Sequence, residues 1–455
     1  MIVDRYCGQH TSSSTGAAQA FEDAVLAVAA HRPIGDALDR ALAADPDFVA
    51  AHALKGLGGV MLAKAETVAG AQQTLALVET NLHKLNGGTA SERMLAGALA
   101  HAAAGRLADA ASRIEGYLVD HPRDLLATKV AHSLRFMSGQ SEQMLATTAR
   151  VLPHWTPETP GYGFVLGCHA FGLEERGHFV EAEATGRSAV RHEPTDAWGL
   201  HAVSHVMEMS GRSAEGVAWL EASRSLWPRC NNFGFHLGWH LALFRLEQGD
   251  HAAVLDIYDH DIRPTATDDF RDMANAVSML CRLEQDGAAV GRRWEDLRQI
   301  AERRRTDSTY VFASLHYLLA LVGSGNLVAA RDLVTQLRAK IAGRDDGIEK
   351  VSDHVGLQIS TAILAKAEGR RPDMQGLAHA ASLLPSIGGS HAQRDVFLRT
   401  LMCMAADHGD SITTHAIGRI RRQQRSEDRF FRLIETRLGH ANSRTAAPLS
   451  KLASH

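Results

Sequence analysis

The chain is short of the groups that mark several common classes of protein. Cysteine is scarce: Cys7, Cys168, Cys230, Cys281 and Cys403 are scattered through 455 residues with no C-x-x-C pair. That gives no disulfide framework and fits reduced thiols in a cytoplasmic protein. There is no excess of positive charge. The formal charge is -4 with 25 histidines counted as neutral, so nothing is built to hold nucleic acid, and no acidic tail is present. No apolar run reaches 18 residues, so no membrane span is expected. The opening MIVDRYCGQHTSSSTG has no apolar stretch, so no secretion signal is expected either. Period-2 runs of β-branched residues are missing, and no sheet is expected. The short basic runs Arg303-Arg304-Arg305 and Arg421-Arg422 with Arg425 read as solvated helix faces.

What the chain does have is a recurring glycine. Gly35, Gly70, Gly105, Gly139, Gly177, Gly211, Gly249, Gly287, Gly325, Gly369 and Gly409 follow one another at steps of 34 to 44 residues. Each lies between two apolar helical runs. A step of 34 is the length of a tetratricopeptide-type hairpin of two antiparallel helices. Glycine supplies the left-handed residue that ends a helix, and the small residues after it let the second helix lie close to the first. Prolines mark the alternate junctions: Pro46, Pro122, Pro194, Pro228 and Pro264. Thr11 to Thr15 is a cluster of good caps, and the first helix is expected to start after it. The expected fold is all-α, with tetratricopeptide-like hairpins forming a closed or strongly curved superhelix. One solenoid would cover 1–442, and 443–455 would form a short polar tail.

Titratable residues gather on the first helices of successive hairpins. His201 and His205 lie on one such helix and His236 and His240 on the next, one repeat later. Spacing four puts each pair on one face. Glu208 continues the first stripe. Histidines with a nearby carboxylate suit a divalent transition metal, and they equally suit acid–base chemistry near neutral pH. The metal candidates are therefore His201, His205, Glu208, His236 and His240. The H-E-x-x-H pattern is absent, because Ala202 follows His201. Polar histidines that merely line a groove or bond backbone are the plainer reading. A second cluster is Gly388-Gly389-Ser390-His391-Ala392-Gln393-Arg394-Asp395. Ser390 and Gln393 form a capping box. The glycine-rich helix start with Arg394 could hold an anion, and His391 with Asp395 could form an acid–base pair. A capped helix with a surface salt bridge is the alternative. His201, His205, His391 and Asp395 are the catalytic candidates. His169, Trp198, Trp239 and Arg394 are the substrate-binding ones.

These segments resemble the tetratricopeptide repeat protein 38 family. The resemblance rests on Asp196-Ala-Trp-Gly-Leu-His201 with His205-Val-Met-Glu208, on Phe235-His236-Leu-Gly-Trp239-His240, on Cys168-His169-Ala-Phe-Gly-Leu-Glu174-Glu175, and on Gly388 to Asp395. It is densest from about residue 160 to 400. It implies an all-α repeat fold and supplies no reaction.

Two functions stand side by side. One is a histidine-rich pocket on the concave side that binds, and could transform, a small anionic molecule, with a metal ion as cofactor. The other is an interaction scaffold that holds a peptide or partner protein in its groove. Nucleic acid and membrane are not expected partners.

Overall fold

The computed structural model describes residues 2–12, 14–342, 348–374, 376–425 and 428–446. Twenty-three α-helices account for nearly all regular structure among them, and the all-α expectation holds. One small departure is a two-residue antiparallel ladder, Ile2–Val3 with Gln9–His10. Asp4 closes its turn by accepting from the N–H groups of Tyr6 and Gly8, each at 2.8 Å, while Cys7 takes a φ of 68°. Two residues per strand are too few for an alternation to show in sequence.

The turn glycines act as expected from Gly105 onward. Every one of them has a φ between 69° and 89°. At Gly177 the N–H bonds to Glu174 O (2.8 Å), and the next N–H, of His178, reaches back to Leu173 O (2.9 Å). This closes the open carbonyls of the helix end. Gly35 and Gly70 do not fit. Gly35 opens the helix Gly35–Ala44, and Gly70 lies inside the helix Ala65–Lys84. The left-handed turns nearby fall instead to His31 and Ala63, both at φ 53°. A β-carbon there costs roughly 1 kcal/mol. His31 gains contacts in return: its ring stacks on Phe233 at 4.5 Å and on Trp198 at 5.1 Å.

The five junction prolines all fall between α-helices. Ser14 caps the first helix, Thr15–Ala29, by accepting from the Ala17 N–H at 3.2 Å. The last helix, Arg429–Ala446, runs past the expected start of the tail at 443, and 447–455 lie outside the described residues.

The chain forms two compact units. The first comprises Met1–Val206 with Trp219–Leu237. Its core holds Phe21, Phe48, Leu54, Leu99, Trp155 and Phe164 among many alanines. The second comprises Met207–Ala218 with Gly238–His455. Here Gly216 shows how closely the helices approach, since a Cβ on it would lie 2.2 Å from the Phe244 ring. The three dividing points fall inside three continuous helices, Ala197–Met209, Ser213–Ala222 and Phe233–Glu247. Among the described residues no helix is long and apolar enough to cross a membrane.

Candidate metal centre

The helix Ala197–Met209 begins at Asp196, whose Oδ2 accepts from the Gly199 N–H at 3.0 Å. That bond satisfies one of the open donors of the first turn. The carboxylate fits because two neighbours lack side chains. A Cβ at Gly167 or Gly199 would lie 2.0 Å or 2.5 Å from the same oxygen. Burial pushes the Asp196 carboxyl up to about 7, against the pull of Lys129 and the backbone N–H of Gly199. The Asp-Ala-Trp-Gly segment is thus a device for starting the helix that carries His201 and His205.

On this helix and on Phe233–Glu247 the imidazoles meet edge to edge. His201 Nε2 lies 3.0 Å from His236 Nε2 and 2.9 Å from His205 Nε2. These three belong to the first unit. His240 follows His236 by one turn of the same helix, in the part that belongs to the second unit. All four side chains are buried. Tetrahedral ligands bonded at 2.0–2.1 Å stand about 3.3 Å apart. The observed separations fall a few tenths of an ångström short of that spacing, a gap that small ring shifts close.

The opposite ring nitrogens face carboxylates. In the first unit His205 Nδ1 lies 3.6 Å from Glu174 Oε2. In the second, His240 Nδ1 lies 3.4 Å from Glu208 Oε2. At these separations the carboxylate charge favours the tautomer with the proton on Nδ1, which leaves Nε2 as the candidate ligand atom. Glu208, a metal candidate by sequence, therefore stands behind an imidazole, and its other oxygen accepts from Arg425 Nη2 at 2.6 Å. Glu174 was not singled out by sequence. Its signal was repeat phase, because Glu174 and Glu208 each precede a turn glycine, Gly177 and Gly211, by three residues.

Aromatic rings wall the first three histidines. Phe171 stacks on His201 at 5.3 Å, and Trp198 lies 4.9 Å from the same ring. Trp198 is buried and donates Nε1–H to His132 Nε2 at 3.0 Å. Burial, then the charge of Lys129, holds His132 well below the usual imidazole range, so it is a neutral acceptor. Trp239 is also fully buried. Its Nε1–H goes to Ser278 Oγ at 3.0 Å, and the Arg282 guanidinium lies 5.4 Å from its ring. His169 is half-buried and bonds Thr148 Oγ1 through Nδ1 at 3.0 Å, with burial lowering its pKa.

The second sequence cluster lies wholly in the second unit. Its capping box is present: Ser390 accepts from the Gln393 N–H, and the Gln393 side chain accepts from the Ser390 N–H. Gly388 and Gly389 have φ of 84° and 76°. Arg394 donates to Gly389 O and lies 3.2 Å from His391 Nδ1. Asp395 does not pair with His391, nor does it form a surface salt bridge. It is buried and takes the Arg421 guanidinium in a fork, at 2.5 and 3.2 Å, with Arg282 at 3.7 Å and Arg425 at 3.8 Å. Burial alone would raise its pKa; the charges of Arg421 and Arg425, the Arg421 hydrogen bond and Arg282 outweigh it and hold the carboxyl far below the usual range.

The reading of Arg421 and Arg425 as solvated is therefore corrected. Their side chains are 2% and 8% exposed, and Arg421 also reaches Asp428. Arg421 lies in the last turn of the helix Ser411–Arg422 and Arg425 just beyond its end, and Asp395 and Glu208 reach them from distant sequence. Arg422 is exposed as expected. In the other run, Arg303 is exposed and Arg305 pairs with Asp332 in solvent, while Arg304 is mostly covered beside Asp268 and Asp307.

No family model matches this chain.

Proposed function

We propose that this protein is a metalloprotein that holds a divalent transition metal through the Nε2 atoms of His201, His205 and His236. The observation that carries the reading is that His201 Nε2 lies 3.0 Å from His236 Nε2 and 2.9 Å from His205 Nε2, while His205 Nδ1 faces the buried Glu174 carboxylate. A scaffold for peptides gives no reason to bury imidazoles and carboxylates together, which is costly unless they are used. An all-imidazole ligand set suits zinc, iron, copper or nickel. A metal that takes five or six ligands keeps positions open for an oxygen of a small anionic molecule, the ligand class expected from the sequence. Such a metal would polarise that molecule or activate water beside it.

The finer fold reading belongs to the same proposal. The recurring left-handed glycines and the resemblance to the tetratricopeptide repeat protein 38 family support tetratricopeptide-like hairpins in a curved superhelix. The test is metal analysis of protein purified without a histidine tag. One equivalent per chain is expected in the wild type and little in His201→Ala or His236→Ala, with melting nearly unchanged. Metal-free wild type after incubation with zinc, iron(II) and copper(II) would refute the reading.

A further inference from the structure

The second unit also contains a cavity of about 380 Å³, near the small end of the range that takes small organic molecules. Its walls are apolar: Trp294, Leu319, Val322, Ile363, Ala367 and Met404. The thiols of Cys281 and Cys403 also face it, and burial pushes both up, Cys281 to about 12, so they are neutral wall groups.

The polar groups of the lining are satisfied in all but one case. Thr400 accepts from Gln285 Nε2 at 3.0 Å, and Lys366 pairs with Asp407 at 2.5 Å. Glu284 is exposed and accepts from the Trp294 indole at 2.9 Å. Arg437 differs. Its guanidinium donates to Gln285 O and, at 3.7 Å, to the Cys403 sulfur, and it meets no carboxylate among the described residues. Sulfur is a weak acceptor, and a guanidinium has five donors in a fork that matches a carboxylate. Elsewhere in this unit Arg399, Arg421, Arg425 and Arg429 each have an acidic partner.

We infer that this cavity binds a medium-chain carboxylate, with its apolar chain against Leu319, Ile363 and Met404 and its head group on Arg437. Glu284 opposes the head group weakly, because it lies in solvent, where charges are screened. The site is independent of the histidine centre and needs no metal.

The test is calorimetric titration of the full chain with decanoate, decan-1-ol and decyltrimethylammonium. Decanoate should bind at one site. Affinity should rise about fourfold per methylene from hexanoate to decanoate, as expected for burial of a chain. Arg437→Met should weaken decanoate at least tenfold while leaving decanol unchanged, and Arg437→Lys should restore part of the loss. Ala367→Trp, which fills the cavity, should abolish both ligands. Three results would overturn the inference: no saturable binding of decanoate, equal affinity for the cationic amphiphile, or wild-type binding in Ala367→Trp.

Discussion

Replacing Asp395 by asparagine tests the electrostatic heart of the second unit. The carboxylate is buried and stands within 3.8 Å of three guanidiniums, those of Arg421, Arg282 and Arg425. Arg421 keeps Asp428 and Arg425 keeps Glu208, so the variant should fold. Loss of one partner of a buried pair still costs about 3–5 kcal/mol. In a unit of this size that corresponds to a fall in Tm on the order of 10 °C. The pH dependence gives a second handle. The folded pKa of Asp395 is depressed, so its contribution is complete above the unfolded value of about 3.9 and is lost as pH falls toward the folded value. Urea melts of wild type and Asp395→Asn should therefore differ by a constant amount from pH 7 to 5 and begin to converge below about pH 4. A difference under about 1 kcal/mol at neutral pH, or one that does not shrink in acid, would refute the assignment of Asp395 as an ion-paired anchor.

Other outcomes follow from the same geometry. Glu174→Ala should weaken zinc or cobalt binding about 10- to 100-fold, the usual cost of losing a group behind a ligand. An unchanged affinity in a chelator competition would contradict this. Burial holds His316 at about 3, while Nδ1–H bonds Phe312 O at 2.8 Å. The unfolded state then binds the extra proton below about pH 6.5, so stability falls with acid. The advantage of wild type over His316→Phe should narrow by roughly 2 kcal/mol between pH 7 and 5, as urea midpoints would show. Gly216→Ala should destabilise by about 1–3 kcal/mol, because its methyl group would meet the Phe244 ring at 2.2 Å. An unchanged melting temperature would mean that the ring yields freely.

Much of the helical plan was legible because its signals are local. A left-handed residue is needed wherever a helix must stop and reverse, so glycine reports the turn directly. The signal failed at Gly35 and Gly70 because His31 and Ala63 accept the strained conformation, and nothing in their side chains announces it. The pairing of His201 with His236 was legible from helical phase and repeat length. The carboxylates behind the rings were half legible: Glu208 was named as a metal candidate, and Glu174 stood only within the Cys168 to Glu175 resemblance. Whether a carboxylate faces the metal or the far nitrogen depends on side-chain direction, which spacing does not specify. The arginine cluster was least legible. Arg421 and Arg425 look like an exposed basic run until Asp395 and Glu208 are brought against them from 26 and 217 residues away.

X-ray absorption at the metal edge reads the ligands of an imidazole-held metal without intermediary. After stoichiometric loading with zinc or cobalt, one ion per chain is expected. It should have three to four nitrogen ligands at about 2.0–2.1 Å and the outer-shell scattering that imidazole rings give. The signal should collapse in His201→Ala. A spectrum of six oxygens, or one unchanged by that substitution, would place the ion elsewhere and contradict the account.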